Sequence, residues 1–191
     1  MSLISQIIDR LRLDKPADTK QIVLFGISLG AAVAAATAAL RDDVAAVVME
    51  CPYPEYELAA AAHGQVLGAP GQMLQRWAFR WAQRISGADF AAVKPVDLIP
   101  QITCPLLVIR SEFDVFIDDA HAAMVEQAVR NRAAELGPAE YWNAANAHHV
   151  EALQEDPGEY RRRVGAFLER ALRGAMLQTG SGNRGIPKPP G

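Results

Sequence analysis

Residues 21–40 have the sequence QIVLFGISLGAAVAAATAAL, and the change of character within this stretch decides the fold. The apolar run at 21–25 predicts a short buried strand, and the small residues at 31–40 predict a helix that can pack closely on a sheet. Between them, Gly26-Ile-Ser-Leu-Gly30 predicts a sharp turn from strand to helix. Both glycines are expected to be required, because the strand and the helix would crowd a Cβ atom at either position.

The serine at the centre of this turn, Ser28, is a candidate nucleophile. A serine hydroxyl reacts poorly unless the backbone presents it and a base removes its proton, and a strand-to-helix turn does the first of these. The amide of Leu29 opens the predicted helix and is the candidate donor to a developing oxyanion. The alternative interpretation is a glycine turn in which Ser28 only caps the helix.

The composition is that of one globular domain. The chain has 191 residues, of which 50% are hydrophobic and 21% charged, and its formal net charge is −3. This balance gives no electrostatic basis for binding nucleic acid or an anionic membrane surface, and no apolar run is long enough to span a bilayer. Residues 1–13 carry charges and show no signal-peptide cleavage site. We therefore expect a cytoplasmic protein.

Alternating strand and helix patterns predict the α/β class, with a mostly parallel sheet of about four strands flanked by helices. After the first strand and helix, further strands are predicted at 44–49, 105–110 and 139–144, and further helices at 2–13, 118–136 and 157–173. Residues 1–176 are expected to form a single domain. Residues 177–191 are rich in glycine, proline and polar side chains, which predicts a disordered tail.

Residues 55–93 are helical in tendency and carry several large apolar side chains. This pattern predicts a helical cap inserted between two strands of the sheet. Trp77 and Trp81 lie within it and are candidates for lining a substrate pocket. An ordinary pair of amphipathic helices with buried aromatic side chains is the alternative.

A candidate acid and a candidate base follow later strands. Asp114 comes after the third predicted strand, and His148 and His149 come after the fourth. The carboxyl ends of parallel strands share one edge of the sheet, so these side chains are expected to meet the serine there. A histidine held by a carboxylate can take the serine proton and return it to the leaving group. Glu112 and Asp118 are rival carboxylates, but the first lies inside a turn and the second is placed to cap a helix.

The adjacent histidines also raise the question of a metal site. No third histidine, cysteine or carboxylate stands at ligand spacing from them, so the sequence predicts no metal and no cofactor. Only one of the two can face the serine, because successive residues point in different directions. Cys51 and Cys104 are the only cysteines, and we expect reduced thiols rather than a disulfide.

These segments resemble the α/β-hydrolase superfamily, and among its members the small esterases. The resemblance covers about residues 2–174. It is carried by the turn GISLG at 26–30, the stretch PLLVIRSEFD at 105–114, AHHV at 147–150, and the last helix pattern from 156 to 168. In such sequences an alanine often precedes the catalytic histidine by two positions, which favours His149 over His148.

The resemblance implies a serine hydrolase that cleaves small carboxylic esters through an acyl-serine at Ser28, with His149 as base, Asp114 as acid and no cofactor. Typical members begin with further strands and a loop that supplies a second oxyanion donor, and nothing before Gln21 matches these. The resemblance therefore implies a truncated sheet in which the strand at 21–25, normally central, lies at an edge.

An apolar strand at a sheet edge favours pairing with another chain. The alternative function is therefore a catalytically silent hydrolase remnant that acts as an interaction module through this edge, for example as a homodimer. A longer enzyme that contains this chain is a further alternative.

Overall fold

The computed structural model describes residues 3–16, 21–55 and 94–181, together with Met73, Trp77, Trp81 and Arg84, and it describes side-chain surroundings as far as residue 173. The helices and strands are α1 (Leu3–Asp14), β1 (Val23–Ile27), α2 (Leu29–Ala39), β2 (Ala46–Glu50), α3 (Pro95–Leu98), β3 (Leu106–Ser111), α4 (Asp119–Arg130), β4 (Ala139–Ala144), α5 (Ala152–Glu155) and α6 (Pro157–Ser181). Short 3₁₀ turns follow α3 and α4.

The four strands form one parallel sheet in the order β1-β2-β3-β4. Ile27 at the end of β1 pairs with Glu50, and Glu50 pairs with Ile109, which pairs with Trp142. The strands therefore end close to one another, and the loops that follow them converge on one edge. The predicted α/β class with a four-stranded parallel sheet is confirmed, and β1 lies at one edge of it.

Helices cover both faces of this sheet. On one face α2 and α4 pack over Val47, Met49 and Val108, and the alanines of α2 let that helix lie close to the strands. On the other face α6 packs Phe167 against Val48 and its neighbours. All five residues of β2 are buried, whereas β1 is only partly covered. Burial on both faces explains why the central strands are uniformly apolar rather than alternating.

The helix predicted at 118–136 is too long. α4 ends at Arg130, and the chain turns at Asn131 into an irregular segment. The physical reason is Arg132, which is 7% exposed and donates hydrogen bonds from its guanidinium to the carbonyls of four residues: Ile102, Cys104, Leu136 and Gly137. Leaving the helix lets this side chain tie three segments together.

The last helix is longer than predicted. α6 continues to Ser181, beyond residue 173 and into the segment at 177–191 predicted as a tail. Residues 182–191 and most of the predicted cap at 55–93 lie outside the described residues. Within the described part of the chain, no helix is both long and apolar enough to cross a membrane.

Candidate active site

The turn after β1 holds Ser28 in a conformation that non-glycine residues seldom adopt. Its φ is 52° and its ψ is −115°. The Ser28 amide donates to the carbonyl of Glu50 at 2.8 Å, so the neighbouring strand fixes this backbone. The side chain makes no capping hydrogen bond to α2, so the interpretation of Ser28 as a helix cap is not supported. A non-glycine residue at positive φ between a strand and a helix points to a functional constraint at that position.

The two glycines of the turn differ. A Cβ atom on Gly26 would lie 2.3 Å from the carbonyl oxygen of Gly30 and 2.7 Å from the Cα of Ala31, which are impossible contacts. A Cβ atom on Gly30 would meet nothing within 4 Å. The expectation that both glycines are required is therefore wrong for Gly30. Only Gly26 lies where the helix crosses the end of the strand.

Ser28, His149 and Asp114 lie in hydrogen-bond contact although the sequence separates them widely. His149 Nε2 is 3.1 Å from Ser28 Oγ, and His149 Nδ1 is 2.6 Å from Asp114 Oδ2. The three residues follow β1, β4 and β3, whose carboxyl ends share one edge of the sheet. The arrangement gives the hydroxyl a base and gives that base a carboxylate.

Asp114 is fixed by the turn that carries it. Its Oδ1 accepts hydrogen bonds from the amides of Phe116 and Ile117 at 2.9 Å and 3.0 Å, which leaves Oδ2 for His149. Its side chain is 1% exposed. The Phe116 ring packs edge-on against the imidazole, with the ring centroids 5.1 Å apart. The carboxylate and the imidazole are therefore both held in place by the surrounding protein.

The rival residues serve other roles in the structure. Glu112 accepts from the amide of Asn146, and Asp118 caps α4 by accepting from the amide of His121. His148 Nδ1 lies 3.2 Å from the carbonyl oxygen of Phe113, in an exposed position. The structure thus brings His149, and not its neighbour, to Ser28.

The electrostatics of the pair favour a charged imidazole. Burial acts to raise the pKa of Asp114, but hydrogen bonds from His149 and two backbone amides outweigh it and hold the pKa below its usual value. Burial acts to lower the pKa of His149, yet Asp114 and Cys51 together raise it to about 9. An imidazole of this basicity stabilises the proton that it takes from a serine.

Cys51 belongs to this edge too, although no sequence motif marked it as a site residue. It directly follows β2, has a φ of 48° and is 2% exposed. Its Sγ lies 3.2 Å from Ser111 Oγ and accepts from the Val150 amide at 3.4 Å. The sulfur, one nitrogen of His149 and one carboxylate oxygen of Asp114 all lie within 4.8 Å of one another. These donors could hold a metal ion. The rule that placed the other site residues at strand ends would have found Cys51 as well.

Glu50, the last residue of β2, is a second residue at this edge that no sequence motif marked. It is 2% exposed, and its Oε2 accepts from the Tyr160 hydroxyl at 2.7 Å. Its Oε1 is buried without a hydrogen-bond partner in the described part of the chain. Burial raises the pKa of this carboxyl, against smaller lowering effects of Tyr160 and the charge of His149. A buried carboxyl group therefore lies in the electrostatic range of the imidazole.

The remaining predicted site residues are Leu29, Trp77 and Trp81. Leu29 is the first residue of α2, directly after Ser28, and is 53% exposed. Trp77 and Trp81 are in helical conformation and are 64% and 56% exposed. Their assignment to a substrate pocket stays a prediction.

Solved structures share this fold. The esterase Pf2001 of Pyrococcus furiosus is 20% identical with a TM-score of 0.67, and the match covers 87% of this chain and 60% of the esterase. The acylaminoacyl peptidase of Pyrococcus horikoshii is 14% identical with a TM-score of 0.59, covering 97% of this chain and 28% of the peptidase. The α/β hydrolase GrgF from Penicillium sp. sh18 is 16% identical with a TM-score of 0.58, covering 87% and 70%.

At these identities the likeness concerns the fold alone, and this chain spans 60% of the length of the first esterase. No curated protein matches the sequence. A family model does match it: the model for the alpha/beta hydrolase fold aligns with residues 2–149, which include all of the strands and the site described above. The chain therefore belongs to the α/β-hydrolase family.

Proposed function

We propose that the protein is a serine hydrolase that cleaves small carboxylic esters through an acyl-serine intermediate at Ser28. The observation that carries this proposal is the continuous hydrogen-bonded chain from Ser28 Oγ through His149 to Asp114, at 3.1 Å and 2.6 Å. No metal or other cofactor enters the proposed reaction.

The proposed reaction starts with attack of Ser28 Oγ on the ester carbonyl while the hydroxyl proton passes to His149 Nε2. Asp114 accepts the Nδ1 hydrogen bond and stabilises the imidazolium that forms. The Leu29 amide, at the positive end of α2, donates to the oxyanion. His149 then gives its proton to the leaving alkoxide, and a water molecule repeats the sequence to release the acid. Ser28, His149, Asp114 and the Leu29 amide thus each contribute to acyl transfer to water.

Esters are the proposed substrate class because an alkoxide is a better leaving group than an amine and needs less assistance. The related folds include an esterase and a peptidase, so the fold itself does not select between these substrates. Trp77 and Trp81 are proposed to contact the acyl or alcohol group. The two free cysteines, Cys51 and Cys104, fit a reducing compartment, and we propose a cytoplasmic location.

A fluorophosphonate probe tests the proposal, since it reacts only with an activated serine. We expect labelling of the native protein at Ser28 and loss of labelling in Ser28→Ala. His149→Ala is expected to abolish labelling, whereas His148→Ala, at the adjacent exposed position, is expected to retain it. Circular dichroism of each variant verifies folding. Folded native protein that is not labelled, or labelling that survives in Ser28→Ala, would refute the proposal.

A second candidate function is self-association through β1. This strand lies at the sheet edge, and Phe25 and Ile27 on it are 45% and 47% exposed. Apolar edge strands promote pairing between chains, and a charged residue at the edge opposes it. We expect light scattering to detect a dimer of the native protein and a monomer for Phe25→Lys. A native protein that stays monomeric at high concentration would rule out edge pairing.

A further inference from the structure

We propose that Cys51, Asp114 and His149 form a binding site for a thiophilic divalent cation such as Zn²⁺, and that the bound ion switches off the chemistry of Ser28. The site itself stands on the geometry of the three donors. The inhibitory effect rests on the function proposed above.

The donor set and its spacing fit such an ion. Thiolate, imidazole and carboxylate are the ligands that Zn²⁺ takes in proteins, with bonds of about 2.0 to 2.3 Å, so tetrahedral ligands lie about 3.3 to 3.5 Å apart. One donor atom of each residue lies within 4.8 Å of the other two. The separation between His149 Nδ1 and Asp114 Oδ2, which is 2.6 Å, has to open by less than about 1 Å to admit the ion. Side-chain rotations of this size need no change in the sheet.

Burial and charge also favour a dication. The side chains of Asp114 and His149 are 1% and 16% exposed, and Cys51 is 2% exposed. A thiolate and a carboxylate together neutralise two positive charges, which makes the loaded site neutral in a buried environment. The Val150 amide donates to the sulfur at 3.4 Å and the Ser111 hydroxyl lies 3.2 Å from it, so two polar groups hold the sulfur in this position. The partly exposed imidazole leaves a route for the ion to enter.

An ion in this position would disable the base. Nδ1 is the ring nitrogen that faces Asp114, so an ion shared by these two residues binds there and displaces the Nδ1 proton. The neutral imidazole then carries its single proton on Nε2, which lies 3.1 Å from Ser28 Oγ. A protonated Nε2 cannot accept the serine proton. The thiol proton of Cys51 goes to solvent, and no electrons are transferred.

Cys104 provides a matched control. It is the only other cysteine of the chain and is likewise buried, but it precedes β3 and so lies at the opposite end of the strands from the site. Burial raises the pKa of its thiol to about 11, which disfavours metal binding. Cys104→Ser therefore removes a buried thiol without removing a ligand of the proposed site.

Titration of the metal-free protein with Co²⁺ tests the site independently of activity, because a thiolate ligand gives a charge-transfer absorption band in the near ultraviolet. We expect the band in the native protein and in Cys104→Ser, with one ion per chain. In Cys51→Ser we expect loss of the band and an affinity lower by at least about tenfold. A band that persists in Cys51→Ser, or that is absent from both native protein and Cys104→Ser, would overturn the proposal. Because Cys51 is the single cysteine in Cys104→Ser, the spectrum of this variant shows whether Cys51 binds the ion even where Cys51→Ser does not fold.

Inhibition of ester hydrolysis by Zn²⁺ tests the proposed effect of the ion on Ser28. The rate of each variant with Zn²⁺ is compared with its own metal-free rate. We expect saturating Zn²⁺ to lower the native rate at least about tenfold, with recovery on addition of chelator, and Cys51→Ser to require about tenfold more Zn²⁺. Binding of Co²⁺ through Cys51 without any Ser28-dependent hydrolysis would refute the proposed function and leave the metal site standing. Hydrolysis that Zn²⁺ does not inhibit would refute the inhibitory role.

Discussion

Gly26→Ala is the substitution for which the structure gives the most definite expectation. Its new Cβ atom would lie 2.3 Å from the carbonyl oxygen and 2.6 Å from the carbonyl carbon of Gly30. Both are backbone atoms, so no side chain can rotate away, and β1 and α2 must move apart at the turn that holds Ser28. Gly30→Ala changes the other glycine of the same turn and introduces no contact within 4 Å.

The expected changes in stability and Tm follow from these contacts. Overpacking costs about 1 to 3 kcal/mol, and contacts with rigid backbone place Gly26→Ala at the upper end, at about 3 kcal/mol. For a domain of this size each 1 kcal/mol moves the Tm by about 2 to 4 °C, so Gly26→Ala is expected to melt about 6 to 12 °C lower. Gly30→Ala replaces a helical glycine and is expected to gain about 0.5 to 1 kcal/mol, which raises the Tm by about 1 to 4 °C.

Thermal unfolding followed by circular dichroism measures both variants, and ester hydrolysis measures the effect on the site. A displacement of about 1 Å at a reacting group can cost about a hundredfold in rate, so Gly26→Ala is expected to lose activity even at temperatures where it is folded. Equal melting temperatures for Gly26→Ala and Gly30→Ala would show that α2 does not approach Gly26 this closely.

Three further predictions concern the base, the acid and the packing. In metal-free protein, kcat/KM is expected to rise with pH up to about 9, because His149 must be neutral to act as base and its pKa is raised to about 9; a flat profile below that pH would contradict this. Asp114→Asn is expected to lower kcat by about four orders of magnitude, because the amide favours the wrong tautomer of the imidazole, and an ester assay showing less than about a tenfold loss would count against the role of the carboxylate. Arg132→Met leaves several buried carbonyls unpaired and is expected to lower the free energy of unfolding, measured by urea denaturation, by about 3 kcal/mol. The control Arg130→Met loses only an exposed pair with Glu126 and is expected to unfold close to the native midpoint. Equal midpoints for the two variants would refute the role of the buried guanidinium.

The sequence predicts the strands of the sheet well because the run of apolar residues within each strand determines them. The apolar runs of β2 and β3 are uniform since both faces are covered, and each ends at a turn that the sequence marks. The order of strands and helices then places the residues after each strand at one edge. This rule is enough to bring Ser28, Asp114 and His149 to one place, where the structure puts them in hydrogen-bond contact.

Features that depend on contacts between distant segments could not be predicted in this way. The crowding at Gly26 and the open space at Gly30 depend on the angle at which α2 leaves the sheet, and the sequence pattern treats the two glycines alike. The early end of α4 depends on carbonyls that Arg132 finds in other segments. The strand-end rule places Cys51 at the same edge, but no local pattern indicates the positive φ that Cys51 adopts beside the imidazole.

The position of β1 has a consequence for how the site fails. Ser28 follows β1, which among the described strands pairs only with β2, whereas Asp114 and His149 follow β3 and β4, which are paired with each other. An edge strand is expected to open at lower free energy than the interior of a sheet, and opening of β1 would separate the hydroxyl from the imidazole and the carboxylate. Amide hydrogen exchange along β1 would then report the fraction of molecules in which the three side chains are together, and a chain that pairs with that edge would increase this fraction.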